Sequence, residues 1–429
     1  MTKSSIVGHV IEVFVKFTTN TLIPADLTIR NFFAERKYLG AGDRRQISEA
    51  YFGTIKQFLR LEAITQDALK TKFNHPQLVV SAYYIAVQDA DPIEMRDIIA
   101  GLNNNFARDY PPNVFQQMAN RKIEDQRLAQ LSPAERLAVY YSFPLWFVIE
   151  IEREYGLDQA ELLLKSLNEE ATTNLRANRT FITRDELQKT LAELGVESTQ
   201  STIAEDALIL SKRMNVWDLA PFKQGLFEIQ DEASQLVAPF ANITSNKIRV
   251  LDACAGAGGK SLHFSSLLRG QGEIVATDIG ARKLEEMRKR VKRSNIQNIR
   301  IVAPNQYDEQ LGIQAFGSFD VVLLDVPCSG TGTLRRNPSI KWRLTEEMQR
   351  ELIEKQRNIF ERNAPYVKEN GVLLYSTCSL LKSEGEQQAE WFVSRNPEFI
   401  LEATKRTHPE TEHCDGFFVA RIRRSSTGA

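Results

Sequence analysis

The residues best suited to covalent chemistry are two cysteines that each follow a short apolar run. The run FDVVLLD ends at Asp325 and leads through Pro327 to Cys328, and the run LLYST leads directly to Cys378. Apolar runs of this length, bounded by turn residues, are typical of strands buried on both faces. Such strands deliver their functional residues at the carboxyl edge of an open α/β sheet. We therefore expect two thiols and a carboxylate in one pocket.

This set of groups fits methyl transfer to a pyrimidine in RNA. C5 of cytosine is a poor nucleophile, but a thiolate that adds to C6 makes an enamine whose C5 can attack a methyl sulfonium. A carboxylic acid near N3 would hold the base and offset charge during the addition. The residues alone leave open which thiol attacks. A lone buried cysteine is usually a small apolar residue, but two such turns beside an acid favour catalysis.

A glycine-rich loop, residues 252–260 (DACAGAGGK), follows a candidate strand and opens a helix. Glycine permits a tight turn whose amides approach a carboxylate or a phosphate. The nicotinamide fingerprint fails because Ser261 replaces its last glycine, and the P-loop motif fails because Cys254 replaces its first. A P-loop-like ATPase with Asp325 on magnesium is nevertheless a competing hypothesis.

Asp278 argues against the ATPase. It ends the next candidate strand, about 20 residues after the loop, where a ribose would need a hydrogen-bond acceptor. The simpler interpretation of Asp278 is a helix N-cap. S-adenosylmethionine fits best, since it carries a ribose and an amino-acid tail but no phosphates. The turn amides would hold its carboxylate, and Asp278 its ribose.

The elements that must position these residues alternate between strand and helix from Gly225 onward. Candidate strands cover residues 248–252, 274–278, 299–302, 319–325, 372–375 and 417–421. Helical patterns separate them, which predicts a largely parallel, doubly wound α/β sheet of Rossmann-like form. Residues 1–130 show helical periodicity alone and predict an all-α bundle. Residues 131–224 predict a small α/β connector, and 225–429 the catalytic domain.

The composition describes a globular protein of two or three domains, with 429 residues, 42% hydrophobic and 25% charged. Its net charge of −1 means that any nucleic-acid footprint must be local. None of the four cysteines forms a CxxC pair, which argues against a disulfide framework and a structural metal site. Charged residues interrupt the apolar N-terminus, so we expect no signal peptide and no membrane span, which makes a cytoplasmic location the default. We also expect the protein to be a monomer.

Two basic stretches are candidates for contact with RNA. Arg335, Arg336, Lys341 and Trp342 lie just beyond the Cys328 turn, and a positive groove with an aromatic suits a single-stranded or flipped base. The run 282–293 holds seven basic residues against two acidic ones, but a solvated helix face explains it equally well. We expect the RNA at the first stretch.

These motifs resemble those of the RsmB/NOP family of RNA cytosine-5 methyltransferases. The matching pieces are residues 254–260 (CAGAGGK), Asp278, 325–332 (DVPCSGTG), 335–342 (RRNPSIKW), 377–379 (TCS) and 415–418 (DGFF). The helical N-terminus, with LGAGDRR at 39–45, is similar to the NusB-like RNA-binding domain at the front of such enzymes.

The resemblance implies a class I methyltransferase that makes 5-methylcytosine in RNA, with small-subunit ribosomal RNA as its substrate. It assigns attack on C6 to Cys378, release of the product to Cys328 and contact with the base to Asp325. Cofactor contacts would fall on Cys254, Ala255, Gly256, Ala257, Gly258, Gly259, Lys260, Asp278, Asn305 and Asp325. Ala257 stands where the family has proline, and Asn305 where it has an aspartate near adenine. A catalytically silent RNA-binding assembly factor is the third hypothesis.

Overall fold

The structure, a computed structural model, describes residues 1–70, 75–102 and 105–426. The chain divides into a helical unit, residues 1–169 with 334–346, and a catalytic unit, residues 170–333 with 347–429. The three-domain division at residues 130 and 224 stays a prediction. No helix formed by the described residues has both the length and the apolar character that a membrane span requires.

Eleven helices build the described part of the helical unit, as the sequence predicts for its first 130 residues. They are α1 (Lys3–Thr19), α2 (Ala25–Glu35), α3 (Ala41–Lys56), α4 (Phe58–Leu69), α5 (Pro76–Ala86), α6 (Pro92–Ala100), α7 (Pro112–Met118), α8 (Arg121–Leu128), α9 (Pro133–Tyr141), α10 (Leu145–Tyr155) and α11 (Leu157–Ser166). Local signals start them: Asp91 caps α6, and Ser132 with Glu135 forms a capping box at α9. Apolar faces of α1, α3 and α5 meet in the core around Phe14 and Tyr51.

A small four-stranded antiparallel sheet begins the catalytic unit. Its elements are β1 (Asn174–Ala177), α12 (Arg184–Glu193), β2 (Ser198–Gln200), β3 (Ala207–Leu210), α13 (Ala220–Lys223) and β4 (Phe227–Ile229). The strand order is β2-β3-β1-β4. This sheet confirms the expected small α/β element between the helical region and the catalytic sheet.

A seven-stranded sheet forms the rest of the catalytic unit. Its elements are α14 (Glu232–Gln235), β5 (Arg249–Asp252), α15 (Gly259–Leu267), β6 (Glu273–Thr277), α16 (Ala281–Arg293), β7 (Ile299–Val302), α17 (Tyr307–Gln310), β8 (Phe319–Asp325), α18 (Glu346–Asn363), β9 (Val367–Thr377), α19 (Glu386–Arg395), β10 (Phe399–Thr407), α20 (Pro409–Glu412) and β11 (Phe417–Arg424). The strand order is β10-β11-β9-β8-β5-β6-β7. Strands β5 to β9 run parallel, and β11 and β10 add an antiparallel edge. The predicted Rossmann-like class is confirmed.

The register of the central strands places the predicted residues at one edge. Asp252 on β5 pairs with Leu323 on β8, and Asp325 at the end of β8 pairs with Ser376 on β9. β8 is almost entirely buried, and so is β9 from residue 371 onward, as their apolar runs predict. The loops after β5, β8 and β9 therefore open on the same carboxyl edge.

Candidate active site

The two cysteines that the sequence singles out lie together. Cys328 Sγ is 3.4 Å from Cys378 Sγ, and both residues line a cavity of about 510 Å³ at the carboxyl edge of the sheet. Both are free thiols. The hydrogen bond to Cys378, together with burial, raises the pKa of Cys328 well above its usual value. Cys328 therefore keeps its proton at neutral pH.

Asp325 stands in the same cavity with both carboxylate oxygens engaged. Lys260 Nζ donates to Oδ2 at 2.5 Å, and Ser376 Oγ donates to Oδ1 at 2.9 Å. The Lys260 side chain is buried, and its ammonium lies 4.8 Å from the centre of the Phe417 ring. The lysine of the glycine-rich loop thus already has a carboxylate partner.

The glycine-rich loop turns sharply between β5 and α15. Gly258 has a φ of +84°, and a Cβ there would lie 2.6 Å from the Met287 side chain, so only glycine fits. Asp278 ties the loop to the end of β6: its Oδ2 accepts from the Gly256 amide at 2.9 Å, and its Oδ1 accepts from the Gly280 amide at 2.7 Å. Asp278 also lines the cavity.

Two arginines outside the motifs hold the carbonyls of this loop. Arg290 on α16 donates to the Ala257 carbonyl at 3.0 Å and to Glu228 at 2.8 Å. Arg176 on β1, which is almost completely buried, donates to the Gly259 carbonyl at 2.9 Å. Arg290 and Arg293 thus point inward to Glu228, so the 282–293 run is only in part a solvated face. The loop is held at Ala257 without the proline of the family.

The pairing of Lys260 and the position of Asp278 favour S-adenosylmethionine over a nucleoside triphosphate. Lys260, the one lysine of the glycine-rich loop, is paired with Asp325 within the cavity. Asp278 also lines the cavity, at the end of the strand where a ribose needs an acceptor. The predicted ATPase alternative therefore loses the lysine that would bind its phosphates.

Most of the residues predicted to contact the cofactor line the cavity. They are Cys254, Ala255, Gly256, Ala257, Gly259 and Lys260, and Gly258 acts through its conformation. Asn305 is exposed, and its neighbour Pro304 lines the cavity, so the contact of Asn305 with adenine stays a prediction. Ile279, 93% exposed and directly after Asp278, offers an apolar surface there that the sequence analysis missed.

The predicted RNA stretch needs correction. Segment 334–346 belongs to the helical unit, where Lys341 is only 2% exposed. Its ammonium donates to Asn168 Oδ1 at 2.6 Å and to the Lys56 carbonyl at 3.1 Å, and it lies 3.6 Å from the centre of the Phe143 ring. Such a lysine is not available to a phosphate. Trp342 packs edge-on against Phe58 at 4.6 Å. Arg335 is buried as well, and only Arg336 of the four is exposed.

Asp252 gives a pH-dependent prediction. It is 1% exposed, Ser261 Oγ donates to its Oδ2 at 2.5 Å, and its Oδ1 has no hydrogen-bond partner among the described residues. Burial, reinforced by the charge of Asp325, raises the pKa of Asp252 to about 7. The pKa of Asp252 in the unfolded chain is near 4, so between pH 4 and about pH 7 the folded protein binds one proton more than the unfolded chain. The free energy of unfolding therefore falls as pH rises through this window.

We therefore expect the free energy of unfolding of Asp252→Asn, relative to that of the wild type, to rise between pH 4 and pH 7 and to level off above, by up to about 4 kcal/mol in total. Thermal unfolding across this range measures it. Asp320→Asn is the matched control of opposite sign. Although burial opposes it, hydrogen bonds from the Arg249 amide and Lys368 lower the pKa of Asp320. The free energy of unfolding of the wild type should rise relative to that of Asp320→Asn as pH rises through about 4. A pH-independent Asp252→Asn difference would contradict the assignment.

Comparison with known proteins decides the family. The model of the 16S rRNA methyltransferase RsmB/F family matches residues 241–423, and that of the RsmF/B-like ferredoxin-like domain matches residues 143–217. The chain belongs to the RsmB/F methyltransferase family. Its cofactor is S-adenosylmethionine, and the family's ferredoxin-like domain includes β1, β2 and β3.

Relatives and solved structures agree with this family. The small-subunit ribosomal RNA methyltransferase B of Yersinia pseudotuberculosis is 29% identical over 405 residues, 90% of this chain and 92% of the relative. The crystal structure of PH0851 has a TM-score of 0.77 at 24% identity and covers 99% of both chains. A methyltransferase homologue from Pyrococcus horikoshii has a TM-score of 0.60 at 23% identity, over 69% of this chain and 99% of that one. At these identities the two structures are evidence for the fold alone.

Proposed function

We propose that this chain methylates C5 of cytosine in small-subunit ribosomal RNA through a covalent adduct with Cys378. The observation that carries the proposal is the 3.4 Å separation of Cys328 Sγ and Cys378 Sγ in a cavity that also holds Asp325. A methyltransferase that attacked an amine or a hydroxyl would need no thiol, and this cavity presents two. The Yersinia relative carries small-subunit ribosomal RNA in its name, which supports the choice of substrate.

The glycine-rich loop and Asp278 would hold the cofactor in this mechanism. When bound, S-adenosylmethionine supplies an electrophilic methyl group. Asp278 would accept from the ribose, the amides of the loop would bind the carboxylate, and Ile279 would cover the adenine.

The thiols would carry the covalent steps. The Cys378 thiolate bonds to C6 of cytosine while N3 takes up a proton, which it gives up again on release of the product, and the Asp325 carboxylate accepts a hydrogen bond from the protonated N3. C5 then takes the methyl group and afterwards loses its proton to a base. The electrons of that C–H bond restore the ring double bond as the bond between Cys378 and C6 breaks. Cys328, which keeps its proton, can donate a hydrogen bond to the Cys378 thiolate before attack and after release.

A substitution at Asp278 tests the cofactor contacts. We expect Asp278→Ala to raise the Kd for S-adenosylmethionine at least about tenfold, because it removes charged hydrogen bonds to the ribose and releases the Gly256 amide. Isothermal titration calorimetry measures this. Glu285→Gln, an exposed acid on α16 outside the cavity, is the matched control and should bind as the wild type does. An unchanged Kd for Asp278→Ala would remove Asp278 from the cofactor site.

The product tests the proposed function. Purified protein is incubated with small-subunit ribosomal RNA and with transfer RNA, and the nucleosides are then analysed by mass spectrometry. We expect 5-methylcytosine in the ribosomal RNA alone. A methylated nucleoside of another kind would refute the cytosine chemistry. Complete absence of methylation, together with assembly function in a Cys378→Ala strain, would support the silent assembly factor instead.

A further inference from the structure

The strands alone do not fix the two cysteines relative to each other. The ladder between β8 and β9 ends at Asp325 and Ser376, followed by one bond from the Val326 amide to the Ser376 carbonyl. Cys328 lies three residues beyond the end of β8, in a turn, and Cys378 directly follows β9. The Gly332 amide donates to the Cys378 carbonyl at 2.9 Å, but it lies four residues beyond Cys328. The turn at Cys328 itself therefore needs a further link to hold the two sulfurs at 3.4 Å.

Glu384 supplies that connection. Its Oε1 accepts from the Ser329 amide at 2.9 Å, and its Oε2 accepts from the hydroxyl of Ser329 and, at 2.7 Å, from the hydroxyl of Ser379. Ser329 and Ser379 are the residues that directly follow Cys328 and Cys378. One carboxylate thus bonds to both turns.

Gln356 on α18 extends the link to the other side of Cys328. Its amide donates to the Pro327 carbonyl and to Glu384 Oε1, at 3.0 Å in each case. The Tyr375 hydroxyl lies 2.7 Å from the Glu384 carbonyl oxygen and 3.1 Å from Gln356 Oε1. Both residues that flank Cys328 are therefore tied to the same carboxylate.

The burial of Glu384 makes this arrangement informative. The residue is completely buried, and within the part of the chain that the structure describes the partners of its carboxylate are all uncharged. A buried carboxylate without a cation is costly unless hydrogen bonds surround it. Here every donor that satisfies it comes from a cysteine turn or from Gln356, and Glu384 itself does not line the cofactor cavity.

We propose that Glu384 is a positioning residue that locks the Cys328 and Cys378 turns into one rigid unit for the methyl transfer. The role in methyl transfer rests on the proposed function, but the locking itself does not. Glu384→Gln replaces one acceptor oxygen with an amide that faces existing donors, so the two turns should separate.

Disulfide formation measures the locking directly, because it requires the two sulfurs to approach in a specific geometry. Diamide accepts the two electrons and two protons that the thiols lose as the disulfide forms, and peptide mapping of the native protein identifies the pair. We expect the Cys328–Cys378 disulfide to form at least about tenfold more slowly in Glu384→Gln than in the wild type. Glu390→Gln, an exposed acid on α19, is the matched control and should match the wild type.

Activity gives the second readout. The kcat of Glu384→Gln should fall about 100-fold, since a shift of about 1 Å in a reacting group costs that much. Its Kd for S-adenosylmethionine should stay at the wild-type value, which a general loss of folding would not allow. Should Glu384→Gln fail to fold, Ser379→Ala removes the donor to Glu384 without removing the charge, together with the contacts of that hydroxyl with Ser329 and Thr331. The disulfide should then form at least about fivefold more slowly.

A wild-type rate of disulfide formation in the folded variant, Glu384→Gln or Ser379→Ala, would overturn the proposal. Its failure is distinguishable from that of the proposed function, because the diamide reaction needs neither RNA nor cofactor. A wild-type protein that methylates no cytosine, but in which Glu384 still governs the disulfide rate, would refute the chemistry and retain the locking role.

Discussion

The Cys378→Ser variant is expected to lose methyl transfer by at least about a thousandfold, as removal of a covalent nucleophile does in other enzymes. Serine has nearly the same size and would keep the turn, but its hydroxyl stays protonated at neutral pH and cannot add to C6. Cys328, 3.4 Å away, cannot substitute if its raised pKa keeps the proton in place. Transfer of a labelled methyl group to ribosomal RNA measures the loss.

The same variant should also fail to capture RNA that contains 5-fluorocytosine, in which fluorine prevents loss of the C5 substituent and traps the adduct. Cys414→Ser is the matched control, because Cys414 is a buried free thiol outside the cavity and should leave capture intact. Capture retained by Cys378→Ser would mean that Cys328 attacks instead.

The Cys328→Ala variant is expected to give the opposite result, an accumulated covalent complex of enzyme and RNA. If Cys328 assists the release of Cys378 from the methylated base, its removal leaves attack intact and slows the last step. The complex should appear as a slowly migrating band on a denaturing gel of the variant incubated with ordinary RNA and S-adenosylmethionine, at many times the wild-type amount.

The double variant Cys328→Ala with Cys378→Ser separates this account from nonspecific cross-linking. It lacks the nucleophile, so the band should vanish. A Cys328→Ala variant that turns over normally with no band would remove Cys328 from product release and leave it as a neighbour that hydrogen-bonds to Cys378.

The central strands and the convergence of their ends could be predicted from the sequence, because apolar runs and turn residues encode them locally. Asp325, Cys328 and Cys378 each stand at the end of such a run. The glycine-rich loop could be predicted equally well, since Gly258 needs a conformation that other residues avoid. The edge strand β10 was missed because Glu402, Lys405 and Arg406 interrupt its apolar residues, and charged residues are common on edge strands.

The hydrogen-bond and ion-pair partners of charged side chains could not be predicted from the sequence in the same way. Lys341 sits in a basic cluster that predicts a surface, yet its acceptors are as far as 285 residues away in the sequence. Arg290 is similar, since its partner Glu228 is 62 residues away. Glu384 carries no motif that the sequence analysis used, although it connects both cysteine turns. Long-range hydrogen bonds of this kind follow from the tertiary fold, and no local pattern indicates them.

Identification of the residue that bonds to the RNA tests the central claim most directly. The wild-type protein is incubated with S-adenosylmethionine and 5-fluorocytosine RNA, digested with trypsin and nuclease, and the modified peptide is sequenced by mass spectrometry. We predict that the nucleotide is attached to Cys378. Attachment at Cys328, or formation of 5-methylcytosine on ordinary RNA with no covalent peptide from the fluorinated one, would contradict the proposed mechanism.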